Sequence, residues 1–177
     1  MKIVIACDVL GKKNNGTSIA GYNLIDYLKS KGHDVKVICC DCDESVRDDS
    51  FIVLNKLNLG PLNKILERNG VTLPKTDKEV ILNAVKDCDI VHVMMPFTLG
   101  CQTARIAKEL GKPVTAGFHV QAELVSSHFG MMNMKLANDI IYKTFYKNLY
   151  KSCDAVHYPT LLLESLTIGT SPQTTAS

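Results

Sequence analysis

Short apolar runs alternate with amphipathic segments along most of this chain. The runs that predict strands span residues 3–9, 35–40, 51–54, 90–95, 113–118 and 155–158. Between them, apolar residues recur at helical spacing, and a helix from about Ser18 to Lys31 has Gly21, Leu24, Ile25 and Leu28 on one face. Because the runs are apolar at successive positions, they are typical of strands buried on both faces. The pattern predicts a doubly wound α/β fold, with a mainly parallel sheet and helices on both faces.

Capping signals mark the ends of the predicted helices. Thr76 and Glu79 have the spacing of a capping box, which predicts the start of a helix whose core face is Ile81, Ala84, Val85 and Cys88. A further helix is predicted from about Gly100 to Leu110, with a core face of Thr103, Ile106, Ala107 and Leu110. Gly32 and Gly111 follow helices at positions typical of a C-terminal cap.

The composition indicates one soluble domain with a core of its own. The chain has 177 residues, of which 46% are hydrophobic and 21% are charged, and its net charge is +2. No apolar run approaches the roughly 20 residues of a membrane helix, and Asp8 comes too early for a secretory signal, so we expect a cytoplasmic location. The seven cysteines are odd in number and most flank apolar runs, which favours reduced core thiols. The near-neutral charge gives no reason to expect a nucleic-acid partner.

Residues 1–159 hold all of the predicted strands and helices and form the expected domain. Residues 160–177 contain one charged residue, Glu164, and eight serines or threonines. We expect this atypical tail to be partly disordered, because such a composition buries little apolar surface.

The loop after the first predicted strand, Gly11–Ser18, is a candidate ligand site, because open parallel sheets bind ligands outside the carboxyl ends of their strands. It is not a P-loop, since no lysine follows Gly16, and it has no Gly-x-Gly-x-x-Gly fingerprint. What remains is a glycine turn at a helix N-terminus, formed by residues such as Asn15, Gly16 and Thr17, where free N–H groups favour an anion or a sugar hydroxyl. An ordinary strand-to-helix connection has the same features.

His119 directly follows another predicted strand, with Gln121 and Glu123 close behind it. An imidazole at a strand end can bind a substrate hydroxyl or transfer a proton, because its pKa lies near neutrality. The alternative is a histidine that only bonds the backbone of its own loop. His92 and His157 lie inside predicted strands, where a place in the core or at the sheet edge is favoured.

A helix predicted from about Met134 to Lys151 carries a basic face interleaved with aromatic residues. Lys143, Lys147 and Lys151 recur at every fourth position, and four of the eleven aromatic residues lie at positions 142–151. Such a face can rest on anionic lipid headgroups. A solvated helix face beside a core-packing face gives the same pattern.

The run from Cys39 to Cys42 is not expected to bind a metal. It lacks the two paired Cys-x-x-Cys motifs of zinc sites, and a strand directs adjacent cysteines to opposite faces.

Several fragments together resemble the N-terminal half of family 4 glycosyltransferases. They follow the family's order across residues 1–158: the first strand with its glycine loop, Lys31–Val37, Asp89–Val93, Leu110–Val114, Phe118-His119 and Cys153–Val156. The fit is closest to bacterial members that glycosylate lipid or other sugar acceptors.

The resemblance implies a Rossmann-like domain of the two-domain GT-B fold, and retaining transfer from a nucleotide-sugar without a catalytic metal or other cofactor. In that family the N-terminal domain mainly binds the acceptor, and the cleft between the domains holds the donor. Gly16 matches the glycine of the first loop, which faces the donor phosphates, and His119 matches a histidine that reaches the transferred sugar. We expect Asn15, Thr17 and Gln121, which neighbour these two residues, to bind substrate with them.

Family members also carry a second doubly wound domain that holds the nucleotide-sugar. We therefore expect this chain to be the acceptor-binding half of a glycosyltransferase, incomplete alone and able to self-associate through the face that the second domain covers in relatives. From Leu161 onward the residues no longer resemble the family, as expected of a truncated or out-of-frame ending. The alternative is a non-catalytic Rossmann-like binding module that docks on an anionic membrane surface, at the inner membrane face, through Lys143, Lys147 and Lys151.

Overall fold

A computed structural model describes residues 1–11, 16–58, 60, 63, 73–119 and 135–158. Six strands in these ranges form one parallel sheet in the order β3-β2-β1-β4-β5-β6. The strands are β1 Lys2–Ala6, β2 Asp34–Cys39, β3 Phe51–Val53, β4 Ile90–Val93, β5 Val114–Gly117 and β6 Ala155–His157. The helices are α1 Gly16–Ser30, α2 Lys78–Val85, α3 Thr98–Glu109 and α4 Lys135–Asn148, and a 3-10 turn follows at Tyr150–Ser152.

Helices pack on both faces of the sheet. A Cβ atom added to Gly21 of α1 would stand 3.8 Å from the side chain of Met94, whereas a Cβ atom on Gly100 of α3 would stand 2.6 Å from the side chain of Val93. Met94 and Val93 are consecutive residues at the end of β4, so their side chains point to opposite faces. The helices α1 and α3 therefore lie on opposite sides, and the predicted doubly wound parallel fold is confirmed.

The core lies between the sheet and its helices, and its largest fully buried side chains include Ile5, Leu10, Ile25, Ile38, Ile81, Met94, Leu99 and Leu149. All seven cysteines are free thiols; five are buried, and Cys42 and Cys101 are partly exposed. Burial raises the pKa of the Cys40 thiol to about 12 and that of Cys101 to about 11, which keeps both protonated. The five buried cysteines lie in the core, as the sequence predicts.

One half of the sheet departs from the predicted double burial. In β4, β5 and β6 the residues that face α3 and α4 are buried, but alternate residues on the other face are only partly covered. That face carries the polar side chains of His92, Thr115 and His157. Their strands therefore combine one apolar face with one polar face, and the prediction of apolar residues on both faces is wrong for this half.

Local boundaries differ from the predicted ones by a few residues, and three of the differences concern helix ends. The N-cap of α2 is Asp77 rather than Thr76, because the Asp77 carboxylate accepts hydrogen bonds from the N–H groups of the first turn. Leu110 is 39% exposed, since it follows the last residue of α3 and turns away from the core. The helix that carries the lysines ends at Asn148, and Lys151 lies in the 3-10 turn.

Two predicted caps are confirmed. Gly32 and Gly111 have φ values of +76° and +68°, the left-handed conformation that glycine adopts without strain. Among the described residues, no helix is long and apolar enough to cross a membrane. The tail predicted at residues 160–177 lies outside the described residues.

Candidate functional site at the carboxyl edge of the sheet

Two side chains, those of Asp41 and Tyr22, hydrogen-bond the start of the first loop, just beyond β1. Asp41 accepts hydrogen bonds from the backbone N–H groups of Leu10 and Gly11 at 3.3 and 3.1 Å. The hydroxyl of Tyr22 donates to the carbonyl oxygen of Gly11 at 2.7 Å and accepts from the N–H of Asp43 at 2.7 Å. Gly11 has a φ of +51°, so the chain turns sharply here. These bonds fix the direction in which the loop departs from the sheet.

A buried carboxylate joins β1 to the start of α3. Asp8 accepts hydrogen bonds from the N–H groups of Leu99 and Gly100 at 2.7 and 3.0 Å. Phe97, the N-cap residue of α3, makes no side-chain capping bond, so Asp8 supplies the cap from a distant strand. Burial raises the pKa of Asp8 to about 6, although both hydrogen bonds oppose that rise.

His119 stands just beyond the end of β5, at the same edge of the sheet. Its side chain is partly buried, and its ring centroid is 6.5 Å from that of His157, the last residue of β6. Burial, followed by the neighbouring His157, lowers the pKa of His119 below its ordinary value. The imidazole is therefore neutral at pH 7, with one ring nitrogen able to donate a hydrogen bond and the other able to accept one.

His92 is a structural residue in the sheet rather than part of this edge. Its Nδ1 atom is 2.9 Å from the hydroxyl of Thr115 on the adjacent strand. Burial lowers the pKa of His92 to about 4, and the nearby histidines His119 and His157 add to that effect. A place inside the sheet was the favoured expectation for His92, and the structure confirms it; His157 is exposed at the end of its strand.

The structure describes some of the predicted site residues and not others. Gly16 is exposed as the first residue of α1, and Thr17 follows it partly buried in the first turn. The loop follows β1 and His119 follows β5, and because β4 lies between these two strands, the strands themselves are about 10 Å apart. Asn15 and Gln121 lie outside the described residues.

The lysines of the predicted basic face do not all lie on the long helix. Lys143 and Lys147 are exposed on α4, whereas Lys151 belongs to the following turn. The aromatic residues between them face inward, since Phe145 and Tyr150 are buried. The aromatic residues are therefore part of the core and not of the basic surface.

A groove of about 1010 Å³ runs along α3 toward α4, beside the carboxyl edge. Its polar lining includes the cationic side chains of Arg105, Lys108 and Lys147. Lys108 is already paired with Asp154 at 2.7 Å, and this ion pair lowers the pKa of Asp154. Of the described residues of the first loop, none lines the groove, and His119 does not line it either.

No group of three or more His, Cys, Asp or Glu side chains within the described ranges is arranged to hold a metal ion. That includes the three histidines of β4–β6 and the cysteines at positions 39–42. Cys39 is the last residue of β2, and Asp41 between these cysteines is occupied with the first loop.

The fold and the order of its elements have a match among known families. The model of Glycosyltransferase Family 4 matches residues 14–163. The chain belongs to Glycosyltransferase Family 4. The match spans both the loop at Gly16 and the strand end at His119, and the predicted membership is confirmed. Curated proteins yielded no match.

Solved structures are similar to this family 4 chain at low sequence identity, and one of them has a TM-score above 0.5. A Listeria monocytogenes protein described as a UDP-N-acetylglucosamine 2-epimerase is 13% identical with a TM-score of 0.56, and the match covers 97% of this chain and 42% of that one. An α-glucosyltransferase in complex with UDP is 16% identical with a TM-score of 0.46, covering 98% and 43%. An α-glucosyltransferase bound to UDP and a 13-mer DNA is 14% identical with a TM-score of 0.48, covering 98% and 41%. The chain thus spans about two-fifths of the length of these proteins.

Sequence reasoning missed the residues that hold the site in place. Asp8, Tyr22 and Asp41 each bond the backbone of a segment far along the chain or across a loop, and no local spacing marks such partners. Gly117, which lies beneath the ring of His119, also went unnoticed. Its signal was a glycine at the end of a buried strand, two residues before a histidine.

Proposed function

We propose that this chain is the acceptor-binding half of a retaining glycosyltransferase that takes its sugar from a nucleotide-sugar. The observation that carries the proposal is the match to Glycosyltransferase Family 4 across residues 14–163. The position of the matching histidine supports it, because His119 stands at the carboxyl edge of a parallel sheet, where ligands of this architecture bind. The chain spans 42% of the Listeria protein, which leaves room in a whole enzyme for a donor domain.

In the proposed reaction the chain's own residues bind and orient rather than form covalent bonds. Neutral His119 donates a hydrogen bond to a hydroxyl of the transferred sugar, or accepts one from it. The N–H groups at the start of α1, near Gly16 and Thr17, face the donor phosphates, since a helix N-terminus favours negative charge. Asn15 and Gln121 add polar contacts from the adjoining loops. No metal takes part in the proposed transfer.

The first experiment measures sugar transfer by the chain joined to a complete donor domain of a family 4 enzyme. A panel of UDP- and GDP-sugars is offered with lipid and soluble sugar acceptors, and His119→Ala is compared with His33→Ala, a histidine in the turn before β2. We expect His119→Ala to lower kcat by about 100-fold, the effect of removing one oriented hydrogen-bonding group, and His33→Ala to change little. Unchanged turnover in His119→Ala would remove this residue from the mechanism.

The second experiment tests the division of labour between the domains. The 177-residue chain alone is assayed with the same donors, and we expect no transfer. Turnover by the chain alone at ordinary enzyme rates would overturn the proposal that it is only the acceptor-binding half.

A second candidate function, docking on an anionic membrane surface, is favoured by the outer face of α4. Leu136 is 70% exposed and Ile140 is 56% exposed. Together with Lys143 and Lys147 they recur at helical spacing, so two bare aliphatic side chains and two cations share one stripe. An interfacial helix has this arrangement, with its apolar residues in the headgroup region and its lysines against lipid phosphates.

Vesicle co-sedimentation tests this candidate. We expect the chain to bind vesicles of phosphatidylglycerol more tightly than those of phosphatidylcholine, and to be released by high salt. The pair Lys143→Gln and Lys147→Gln should weaken binding about thirty-fold, from about 1 kcal/mol per lysine. The matched control pair is Lys36→Gln and Lys78→Gln, also exposed but away from α4. If vesicle binding changes neither with salt nor with either pair of substitutions, the stripe on α4 is only a solvated helix face.

A further inference from the structure

The ring of His119 lies directly on the backbone of Gly117. A Cβ atom built on Gly117 would come closer than 3.0 Å to both Nε2 and Cδ2 of the imidazole, a distance that real Cβ atoms essentially never show. The two residues are separated by Phe118 alone, so the chain folds the imidazole back over the strand that it has just left. The space beneath the ring exists because residue 117 has no side chain.

Backbone conformation does not explain the glycine. The glycines with positive φ among the described residues are Gly11, Gly32, Gly60 and Gly111, and Gly117 is not one of them. It is a regular residue of β5, paired in parallel register with His157 of β6. A glycine inside a strand weakens the strand, because it adds backbone entropy to the unfolded chain and packs no side chain. The benefit that offsets this loss is room for the imidazole.

Two strands hold the segment around the ring in place. The N–H of Phe118 donates to the carbonyl oxygen of His157 at 2.8 Å, which extends the β5–β6 ladder past Gly117. The Phe118 ring packs on the opposite side of the sheet, with centroids 5.3 Å from those of Tyr150 and Tyr158 and 6.1 Å from that of Tyr142. Because Phe118 is fixed on one face, His119 is directed to the other.

The titratable groups that face His119 within the described residues are two other histidines. His157 of β6 is the nearer one, at 6.5 Å between ring centroids. His92 of β4 lies on the same face of the sheet as His157. Burial is the larger cause that disfavours a positive charge on His119, and a positive charge on His157 acts in the same direction. The pKa of His119 is lowered accordingly, which keeps the ring neutral.

We propose that Gly117 and His157 are positioning residues for His119: Gly117 leaves the space in which the imidazole lies against the sheet, and the ring of His157 stands beside it, 6.5 Å away between centroids. This inference rests on the proposed function for the meaning of that position, because a neutral, fixed imidazole can both donate a hydrogen bond to a sugar hydroxyl and accept one from it. The geometry itself is independent of the proposed function.

A double-mutant cycle tests the part assigned to Gly117. We expect Gly117→Ala to lower the Tm by about 2 °C, because the new methyl group displaces the imidazole, and the far end of a side chain moves at modest cost. When His119→Ala is also present the ring is gone, so Gly117→Ala should then leave the Tm unchanged or raise it. Equal losses in both backgrounds would mean that the clash lies elsewhere and would overturn the assignment.

Histidine titration by NMR tests the part assigned to His157. The five histidines are followed in the 177-residue chain, and the His119 signal is identified from its loss in His119→Ala. We expect the pKa of His119 to lie below its ordinary value, to rise toward that value in His157→Gln, and to stay in place in the control His33→Gln. An unchanged His119 pKa in His157→Gln would remove His157 from the proposal.

Kinetics of the chain joined to a donor domain separate this proposal from the proposed function. Gly117→Ala should lower kcat by about 100-fold while the KM for the acceptor changes little, since a displaced group harms the transition state more than binding. If the Tm cycle and the titration behave as expected but His119→Ala transfers sugar normally, the positioning stands and the catalytic part of the proposed function fails. If kcat is unaffected by Gly117→Ala but falls in His119→Ala, the positioning part fails alone.

Discussion

The carboxylate of Asp8 accepts a hydrogen bond from the backbone N–H of Gly100 at 3.0 Å, and this bond joins the end of β1 to the first turn of α3. A second bond, from the N–H of Leu99, completes the cap. The first strand of the sheet therefore ends in a side chain that supports the helix beyond the fourth strand. The two elements are fixed to each other at the edge where ligands of parallel sheets bind.

Asp8 should make the protein less stable as the pH rises, which is the opposite of the usual effect of a carboxylate. Its pKa rises from 3.8 to about 6 on folding, mainly through burial, so the folded state holds the proton more tightly than the unfolded state. Its contribution to stability is present below about pH 4 and is lost as the pH rises to about 6, in total about 3 kcal/mol. Urea unfolding at several pH values should show this loss in the wild type and not in Asp8→Asn.

The control for Asp8 is an exposed carboxylate with the opposite shift. The hydrogen bond from Lys29 lowers the pKa of Asp48 to about 2, so Asp48→Asn should alter the pH profile only in more acid solution. A constant difference between the wild type and Asp8→Asn from pH 4 to pH 7 would contradict the assignment.

Gly100→Ala should destabilise the protein strongly. A Cβ atom at this position would collide with the carbonyl oxygen of Met95 and stand 2.6 Å from the Val93 side chain. Overpacking of a rigid backbone contact destabilises by about 3 kcal/mol, which chemical unfolding would measure. The matched control is Gly16→Ala, where nothing lies within 4 Å of the new atom, and its effect should stay within about 0.5 kcal/mol. Equal stability of the two variants would contradict the packing argument.

Tyr22→Phe should loosen the start of the first loop. The substitution removes the bond to the carbonyl oxygen of Gly11 and leaves the N–H of Asp43 without its hydroxyl partner, so we expect a loss of about 1–2 kcal/mol. Hydrogen exchange at Gly11 should also become faster. Tyr27→Phe, at a tyrosine that is 58% exposed, is the control and should leave both measurements unchanged. An unchanged exchange rate in Tyr22→Phe would show that the loop is fixed by Asp41 instead.

A chelator should not affect the proposed transfer. Since the proposed reaction uses no metal, EDTA added to the chain joined to a donor domain should leave kcat and KM unchanged. Loss of activity on chelation, with recovery on adding Mg²⁺ or Mn²⁺, would contradict the metal-free part of the proposal. Chelation by itself should not change the Tm of the 177-residue chain.

The sheet and its order of elements follow from the sequence because each strand and each helix carries its own local period. The apolar runs and the glycine caps at Gly32 and Gly111 need no distant partner to be recognised, and the structure confirms them. Boundaries are less certain where two residues satisfy the same local pattern. Thr76 and Asp77 are both residue types that cap helices well. Only the path of the backbone places Asp77 where its carboxylate accepts the capping hydrogen bonds.

The supports of the site were not predictable in the same way. The partners of Asp8 lie more than ninety residues further along the chain, and adjacency of β1 and β4 brings them together. The polar row of His92, Thr115 and His157 shows the same limitation, since each residue alone is a minor interruption of an apolar run. Only the parallel register pairs His92 with Thr115 and places His157, the partner of Gly117, on the same face of the sheet. Asn15 and Gln121 remain predictions.

The rings around Phe118 give α4 a part in the site as well as in the core. Tyr142 of that helix and Tyr150 of the turn after it pack against Phe118, whose neighbour in sequence is His119 on the opposite face of the sheet. A change in these tyrosines is therefore transmitted through the sheet, although neither residue faces the ligand edge. In the proposed function, a substitution of Tyr142 or Tyr150 should therefore lower turnover through the position of His119 rather than through a lost contact with substrate.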